Sequence, residues 1–441
     1  MPGLSLMERF STISAAARVE AVLDAGSFEP LPEARTTVIT GRGRVDGRAV
    51  WIAATDPTRA RGALGVAEAA ALCTWFQTAG RDPQPLLLLL DSAGAKVDEG
   101  LAALGAFRRL FRDALLARLA GVPMLAVLGR SCFGGSSMLA CVCHTRLYST
   151  ETLLAVSGPG VIEALSGRAE LDASDPQQVR TLMGAEARSR LGPDELSIED
   201  HGDAFQAAVS AWIHQPALLT PGADTAQRHE RLRQRLQSVG PDPSLVSYGP
   251  SQSDTELLIP SSYQRLSRGP LLVGFPPPGS AKPAFLGALG GSAIGAQTCW
   301  ELADELQCVH QSNPASPIVL LLDASGHAAT RRDEALMLSA YLAHLSIVTA
   351  ELVVLGHRIV LWIPGAAAGA VYVAFAAPVQ NVSALPSARI RILPEAAVRQ
   401  IVGASAEEAA DPDTLMQAGV IDALLDRRLE PCAAAPAAVQ R

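Results

Sequence analysis

One buried-strand signature occurs twice in this chain. Pro85-Leu-Leu-Leu-Leu-Leu-Asp91-Ser-Ala-Gly94 returns about 230 residues later as Pro317-Ile-Val-Leu-Leu-Leu-Asp323-Ala-Ser-Gly326. A period of that length is the size of a domain, not of a solenoid unit. Each copy is an unbroken apolar run closed by aspartate and a turn of small residues. A run without polar alternation suits a parallel strand covered on both faces, and the carboxyl end of such a strand is where α/β folds bind ligands.

The surroundings repeat as well. Gly62-Ala-Leu-Gly65 precedes a helix expected over Val66 to Gln77, and Gly287-Ala-Leu-Gly-Gly-Ser292 precedes one over Ile294 to Gln307. After each signature come a helix (Leu101 to Leu119; Ala335 to Leu355), a second apolar strand (Pro123 to Leu128; Arg358 to Ile363) and a small-residue loop entering another helix. Alternating strands and helices predict an α/β fold made of two related units. With 441 residues, 49% of them hydrophobic, the chain has apolar material for two cores. The expected division is one domain over 1–215, a second over 271–430, a Pro-, Ser- and Gln-rich linker over 216–270 holding a helix from Thr225 to Gln237, and an Ala/Pro-rich disordered tail over 431–441.

The formal charge of -8 is spread without a basic block, which argues against a nucleic-acid partner. The opening MPGLSLMERF lacks the apolar core of a signal peptide, and runs such as Pro85 to Leu90 are too short to span a bilayer. A soluble, cytoplasmic protein without membrane contact is expected. The seven cysteines sit in apolar surroundings and read as reduced core thiols; Cys141, Cys143 and His144 lack a second ligand pair, so no metal site is expected.

Cys132-Phe-Gly134-Gly135-Ser-Ser lies between an apolar strand and an apolar helix. Adjacent glycines let a backbone approach a ligand closely, and the helix start supplies unpaired N–H groups and the positive end of a dipole. A tight turn that only packs a helix on a strand reads the same way. Gly290-Gly291-Ser292 and Gly365-Ala-Ala-Ala-Gly369-Ala370 occupy matching points of the second unit, so two loops of N–H donors could face one substrate. No serine sits in a Gly-x-Ser-x-Gly elbow and no nucleophile–base set is visible. Among the histidines, His327 is best placed, directly after the second strand–turn signature; a surface or helix-end position is the plain alternative. Arg331-Arg332-Asp333-Glu334 reads either as a solvated first turn of a helix or as an arginine aimed at a carboxylate or phosphate.

At these residues the chain resembles the beta and gamma subunits of biotin-independent malonate decarboxylase joined in one polypeptide and, more distantly, the carboxyltransferase halves of acyl-CoA carboxylases. The beta-like segments are Leu23 to Phe28, Cys132 to Gly135, Ser157-Gly158-Pro-Gly-Val-Ile-Glu163 and Glu170 to Asp175; the gamma-like ones are Thr330 to Glu334, Tyr341 to Leu345, Gly356-His-Arg358 and Ala384 to Ala388. Ala368-Gly369-Ala370 stands where the gamma loop reads Ser-Gly-Gly, Ser136-Ser137 follows Gly135 in place of Met or Gly, and one glycine of a pair is absent near Met183-Gly-Ala185.

The resemblance implies two crotonase-like ββα-spiral carboxyltransferase domains in tandem and decarboxylation of a malonyl thioester to the acetyl thioester. It assigns thioester-side donors to Gly134 and Gly135 and carboxylate-side donors to Gly369 and Ala370. The enolate carbon then needs a proton from a histidine, a tyrosine or water, and His327 is the side chain expected to give it. Gly94, Ser157, Gly158, Gly290, Gly291, Gly326 and Arg331 are the expected substrate-binding positions. No tightly bound cofactor is implied beyond the substrate's own phosphopantetheine-type arm, on CoA or on an acyl-carrier protein. Implied partners are an acyl-carrier subunit, a malonyl/acetyl transferase subunit and further copies of the chain. The alternatives are a biotin-dependent acyl-CoA carboxyltransferase and a non-catalytic scaffold that binds an acyl-carrier protein.

Overall fold

The strand Leu86–Ser92 is buried at all seven positions. Leu86, Leu88 and Leu90 point into a core that also receives Ile318, Leu320 and Leu322 of the second copy. Leu87 and Leu89 face an outer core with Val19 and Phe205, and Val319 and Leu321 face the matching one with Phe285 and Trp362. Burial on both faces is what removes polar alternation from the two runs. Each such leucine is worth about 1.5–3 kcal/mol of transfer free energy, and the shared core is the surface along which the halves meet.

The computed structural model describes residues 9–32, 36–215, 220–243, 245, 258–260, 262–277, 280–314, 316–394 and 410–425. The tail expected over 431–441 lies outside them. The first sheet runs β1 (Glu29–Pro30), β2 (Val38–Val45), β3 (Arg48–Thr55), β4 (Leu86–Ser92), β5 (Met124–Phe133), β6 (Thr145–Ser149) and β8 (Glu195–Ile198), with β7 (Leu153–Ala155) pairing the end of β5. The second runs β9 (Gln264–Arg268), β10 (Leu271–Phe275), β11 (Ala284–Ile294), β12 (Ile318–His327), β13 (Ile359–Ile363), β15 (Asn381–Ala384) and β17 (Ala423–Leu424), while β14 (Ala366–Ala368) pairs β16 (Arg389–Arg391). Each sheet begins with three antiparallel strands, β1–β2–β3 or β9–β10–β11, and continues in parallel. β4 and β12 hold the same place in this order. The molecule is therefore two crotonase-like α/β domains in tandem.

The aspartates that end the two signatures hold the next turn. Asp91 accepts the N–H groups of Arg130 (3.0 Å) and Ser131 (3.1 Å); Asp323 accepts that of Ala366 (2.7 Å). A β-carbon on Gly129 would lie 2.4 Å from Asp91 Oδ2 and one on Gly365 2.1 Å from Asp323 Oδ1, so glycine is required beside each carboxylate. Asp91 is also paired with Arg18, a fully buried guanidinium 3.0 Å away. These contacts carry β5 on to Phe133, beyond the Leu128 at which the apolar run ends.

The following helices are capped in parallel fashion. Val66–Ala79 receives Glu99 Oε2 at the Val66 N–H (2.6 Å), and Ala296–Ser312 receives Asp333 Oδ1 at the Ala296 N–H (2.7 Å). A carboxylate at a helix start satisfies an orphan donor and meets the positive dipole end. Asp333 and Glu334 are thus buried and engaged, which corrects their reading as a solvated first turn: their partners come from outside their own helix. The linker helix spans Pro221–Val239, longer than expected at both ends, and buries Leu232 and Leu236 in the shared core. Among the described residues no helix is long and apolar enough to cross a membrane.

Candidate active site

At the end of β5 the chain turns through Gly134, at φ +58°, into the helix Gly135–Val142. At the end of β14 it turns through Gly369, at φ +50°, into Gly369–Ala376. Both glycines occupy the left-handed region that disfavours side chains. Gly94, at φ +106°, lies against the first turn: a β-carbon on Gly134 would sit 3.6 Å from Gly94 Cα. The first N–H groups of a helix lack an i−4 acceptor, so each helix start offers the positive end of a dipole. In the first loop the Gly134 N–H is taken by the Ala155 carbonyl (3.2 Å) and that of Ser137 by the Gly134 carbonyl (3.1 Å), which leaves the Gly135 N–H as the donor facing outward.

One cleft of about 870 Å³ is lined by residues of both halves, among them Gly94, Gly134, Gly135, His327, Gly369 and Ala370. A second, of about 760 Å³, is lined by Ala293, Ser325, Thr330, Arg332, Ala368 and Arg391. His327 and Pro394 line both, so the clefts meet at that wall.

Behind the wall a polar network joins the halves. Ser157 Oγ lies 2.8 Å from His327 Nε2, and the Ser157 N–H donates to Glu334 Oε1 (2.8 Å). Arg188 donates to the Glu334 carbonyl (2.6 Å) and to the Leu154 carbonyl (2.7 Å). The Glu334 carboxylate is 3.7 Å from that guanidinium, an ion pair with neither partner exposed. Burial drives the Glu334 carboxyl up to about 7 in spite of Arg188. Desolvation pushes His327 down to about 4, so its ring is neutral at physiological pH. Its Nδ1 is buried without a hydrogen-bond partner among the described residues.

The expected positions divide into three groups. Gly94, Gly134, Gly135, Gly158, His327, Gly369 and Ala370 line the first cleft, and Ser157 supports it through His327. Gly290 and Gly291 form an irregularity in β11 and line neither cleft, although Ser292 and Ala293 beside them line the second. Gly326, at φ +143°, packs under Pro394, where a β-carbon would come within 2.7 Å. Arg331 is exposed, and its N–H donates to Glu170 Oε1 (2.6 Å); its neighbour Arg332 is the arginine that lines the second cleft. The Ser157–His327 contact and Glu334 were not found from the sequence, because the partners lie 170 and 177 residues apart. The Ser157-Gly-Pro-Gly turn was the one local signal.

Ala370 answers the question raised by the missing glycine pair. It is absent from the non-glycine residues with positive φ, so the left-handed step falls on Gly369 alone and a β-carbon is tolerated next to it. At the matching position of the first half, a β-carbon on Gly135 would meet the Phe107 ring at 2.6 Å. Among the described residues no group of three or more His, Cys, Asp or Glu side chains could hold a metal ion.

Residues 10–250 match the model of the carboxyl transferase domain, and residues 290–420 that of the malonate decarboxylase gamma subunit. Among curated proteins, the chain is 27% identical to the carboxyltransferase subunit of propionyl-CoA carboxylase of Haloferax mediterranei, over 52% of this chain and 47% of that one. It is 32% identical to a putative propionyl-CoA carboxylase beta chain of Bacillus subtilis, over 30% of this chain and 26% of that one. The chain thus spans less than half the length of these curated relatives. Among solved structures it is similar to a Pseudomonas malonate decarboxylase hetero-tetramer in complex with malonate (27% identity, 53% of this chain and 94% of that one, TM-score 0.47). It is also similar to a transcarboxylase 12S subunit (20% identity, 95% and 88%, TM-score 0.40).

Proposed function

The chain belongs to the carboxyl transferase domain family, with a malonate decarboxylase gamma-subunit domain following in the same polypeptide, and from that premise we propose that it decarboxylates a malonyl thioester. The observation that carries this reading is the pairing of two left-handed glycines, Gly134 and Gly369, each opening a helix start from a different half onto one cleft.

Loss of CO2 sends the electron pair of the broken C–C bond into the thioester carbonyl, giving an enolate whose oxygen carries the developing charge. Fixed N–H donors at that oxygen stabilise the transition state, about 3 kcal/mol for one donor. In this scheme the Gly135 N–H holds the thioester oxygen, and Gly369 and Ala370 hold the departing carboxylate. Gly94 and Gly134, whose own N–H groups are taken by Ser92 Oγ (3.1 Å) and the Ala155 carbonyl (3.2 Å), leave room for the thioester oxygen to approach. The enolate carbon then takes a proton. His327 is neutral, with Nε2 engaged by Ser157 and Nδ1 buried. We therefore assign the proton to water, with His327 and Ser157 as positioning residues that shape the wall where that water sits. The thioester arm belongs to CoA or to an acyl-carrier protein. A carrier subunit, a malonyl transferase subunit and further copies of this chain complete the proposed assembly, with a first unit over 1–215 and a second that takes in β9 (Gln264–Arg268), inside the segment expected as linker, and runs to 430.

A second reading, carboxyl transfer to a biotin brought by another protein, draws support from the two clefts meeting at His327 and Pro394, which leaves room for two reactants. Incubation of the full chain with malonyl-CoA or a malonyl-loaded carrier tests both. CO2 release without biotin supports decarboxylation, and formation of carboxybiotin together with the acetyl thioester, with no CO2 released when biotin is absent, supports transfer. Carrier binding with neither would make the chain a scaffold.

A further inference from the structure

The two halves place the same strained turn ahead of the same helix but build it from different residues. In the second half Gly290 and Gly291, five and four positions before the N-cap glycine Gly295, have φ of +90° and +68°. In the first half the residues five and four positions before the N-cap Gly65 are Ala60 and Arg61, at φ +45° and +52°. A side chain in this region is disfavoured, and two in succession are rarer still. The turn cannot relax easily. The Arg61 carbonyl accepts the Ala93 N–H (2.9 Å), and Gly62 is pressed so close to the Asp91 carbonyl that a β-carbon would fall 2.0 Å from it. Glycine would suit position 61 better, as it does in the second half. Strain retained where an easier residue is available points to a use for the side chain.

That side chain lines the first cleft, together with one other uncommitted cation. Of the charged residues there, Asp91 is held by Arg18, and Arg180 is paired with Glu151 at 2.9 Å. Arg61 and Arg130 are exposed and have no side-chain hydrogen bond or ion pair among the described residues. Two unpaired guanidiniums bordering a largely apolar cleft match an anion with several acceptor oxygens attached to a long neutral arm.

We infer that Arg61 and Arg130 form a phosphate-binding rim for the phosphopantetheine arm of the substrate, with the strained turn at Ala60–Gly62 holding Arg61 toward the cleft. The inference rests on the thioester reading but does not need decarboxylation to occur.

Direct binding to the full chain, measured by calorimetry with pantetheine, 4′-phosphopantetheine and CoA, separates the two questions because none of these probes turns over. Arg61→Gly is the informative variant, since it relieves the backbone and secures folding. It should raise the melting temperature or leave it unchanged while weakening 4′-phosphopantetheine about tenfold, the effect of losing one charge-assisted contact. Pantetheine binding should not change. Arg130→Gln should act in the same direction. A fall for CoA no larger than for 4′-phosphopantetheine assigns the rim to a single phosphate, as on a carrier protein; a larger fall assigns it to the diphosphate of CoA. Equal weakening of pantetheine, or unchanged affinity for the phosphorylated probe, would overturn the assignment.

Discussion

Ser157 Oγ and His327 Nε2, 2.8 Å apart, belong to different halves of the chain, and their contact stands at the wall shared by the two clefts. Ser157 is held from behind by Glu334, which is itself held by Arg188, so the wall is fixed by groups drawn from three segments. The arrangement resembles a nucleophile beside a base, yet Ser157 is 1% exposed. A serine so enclosed serves the histidine, not the substrate.

The neutral state of His327 has a measurable sign. Its folded pKa of about 4 lies below its ordinary 6.5. The unfolded chain therefore binds more protons in that interval, and the group's contribution to stability is lost as pH falls from about 6.5 towards 4. Glu334 acts in the opposite sense: lifted to about 7 from 4.5, it favours the folded state at low pH, and that contribution is lost as pH rises through 7. Melting temperatures of the parent and of His327→Gln should diverge against the parent on acidification through the histidine window. A constant difference would show that burial does not hold the ring neutral.

Gly134→Val should abolish turnover of a malonyl thioester. A β-branched residue at φ +58° costs on the order of 1–3 kcal/mol of strain, and its side chain grows towards Gly94, where the thioester oxygen is proposed to sit. Circular dichroism should report a folded protein with a lower melting point. Turnover within a few-fold of the parent in such a protein would remove this loop from the reaction.

Arg188→Ala should destabilise the protein by about 3–5 kcal/mol, the usual consequence of leaving one member of a buried ion pair alone. Both members are fully buried here, and the guanidinium also satisfies two main-chain carbonyls. Denaturant unfolding checks this. A loss below 1 kcal/mol would mean that water or a rearranged Glu334 replaces the arginine.

The tandem fold was legible because both diagnostic strands are buried on two faces, and this writes an unbroken apolar run ending in aspartate at Asp91 and at Asp323. The glycine loops were legible for a related reason: the left-handed step at Gly134 and at Gly369 demands a residue that stands out in the sequence. What stayed hidden depends on distant partners. Charges at a helix start look the same whether solvated or buried, so Asp333 and Glu334 gave no local sign of their contacts with Ala296 and Ser157. Choosing between Arg331 and Arg332 needed the helix to be placed against the second cleft. Gly290 and Gly291 attracted attention as a glycine loop at a matching point of the repeat; their positive φ serves the bulge in β11 and not the cleft.

The loop at Gly369 supplies the final prediction. Because the left-handed step is confined to Gly369, Ala370 already has a backbone that alanine adopts without strain, and its N–H is presented at a helix start. Ala370→Gly should therefore change CO2 release from a malonyl-loaded carrier by no more than a few-fold. It should also slightly lower the melting point, since glycine loses about 0.5–1 kcal/mol relative to alanine within a helix. Gly369→Ala places a β-carbon at φ +50°, 3.1 Å from the Ile392 carbonyl, and should reduce turnover sharply. A silent parent revived by glycine at position 370 would show that alanine distorts the loop. Equal activity in the parent and Gly369→Ala would mean that the donors of this second loop do not take part.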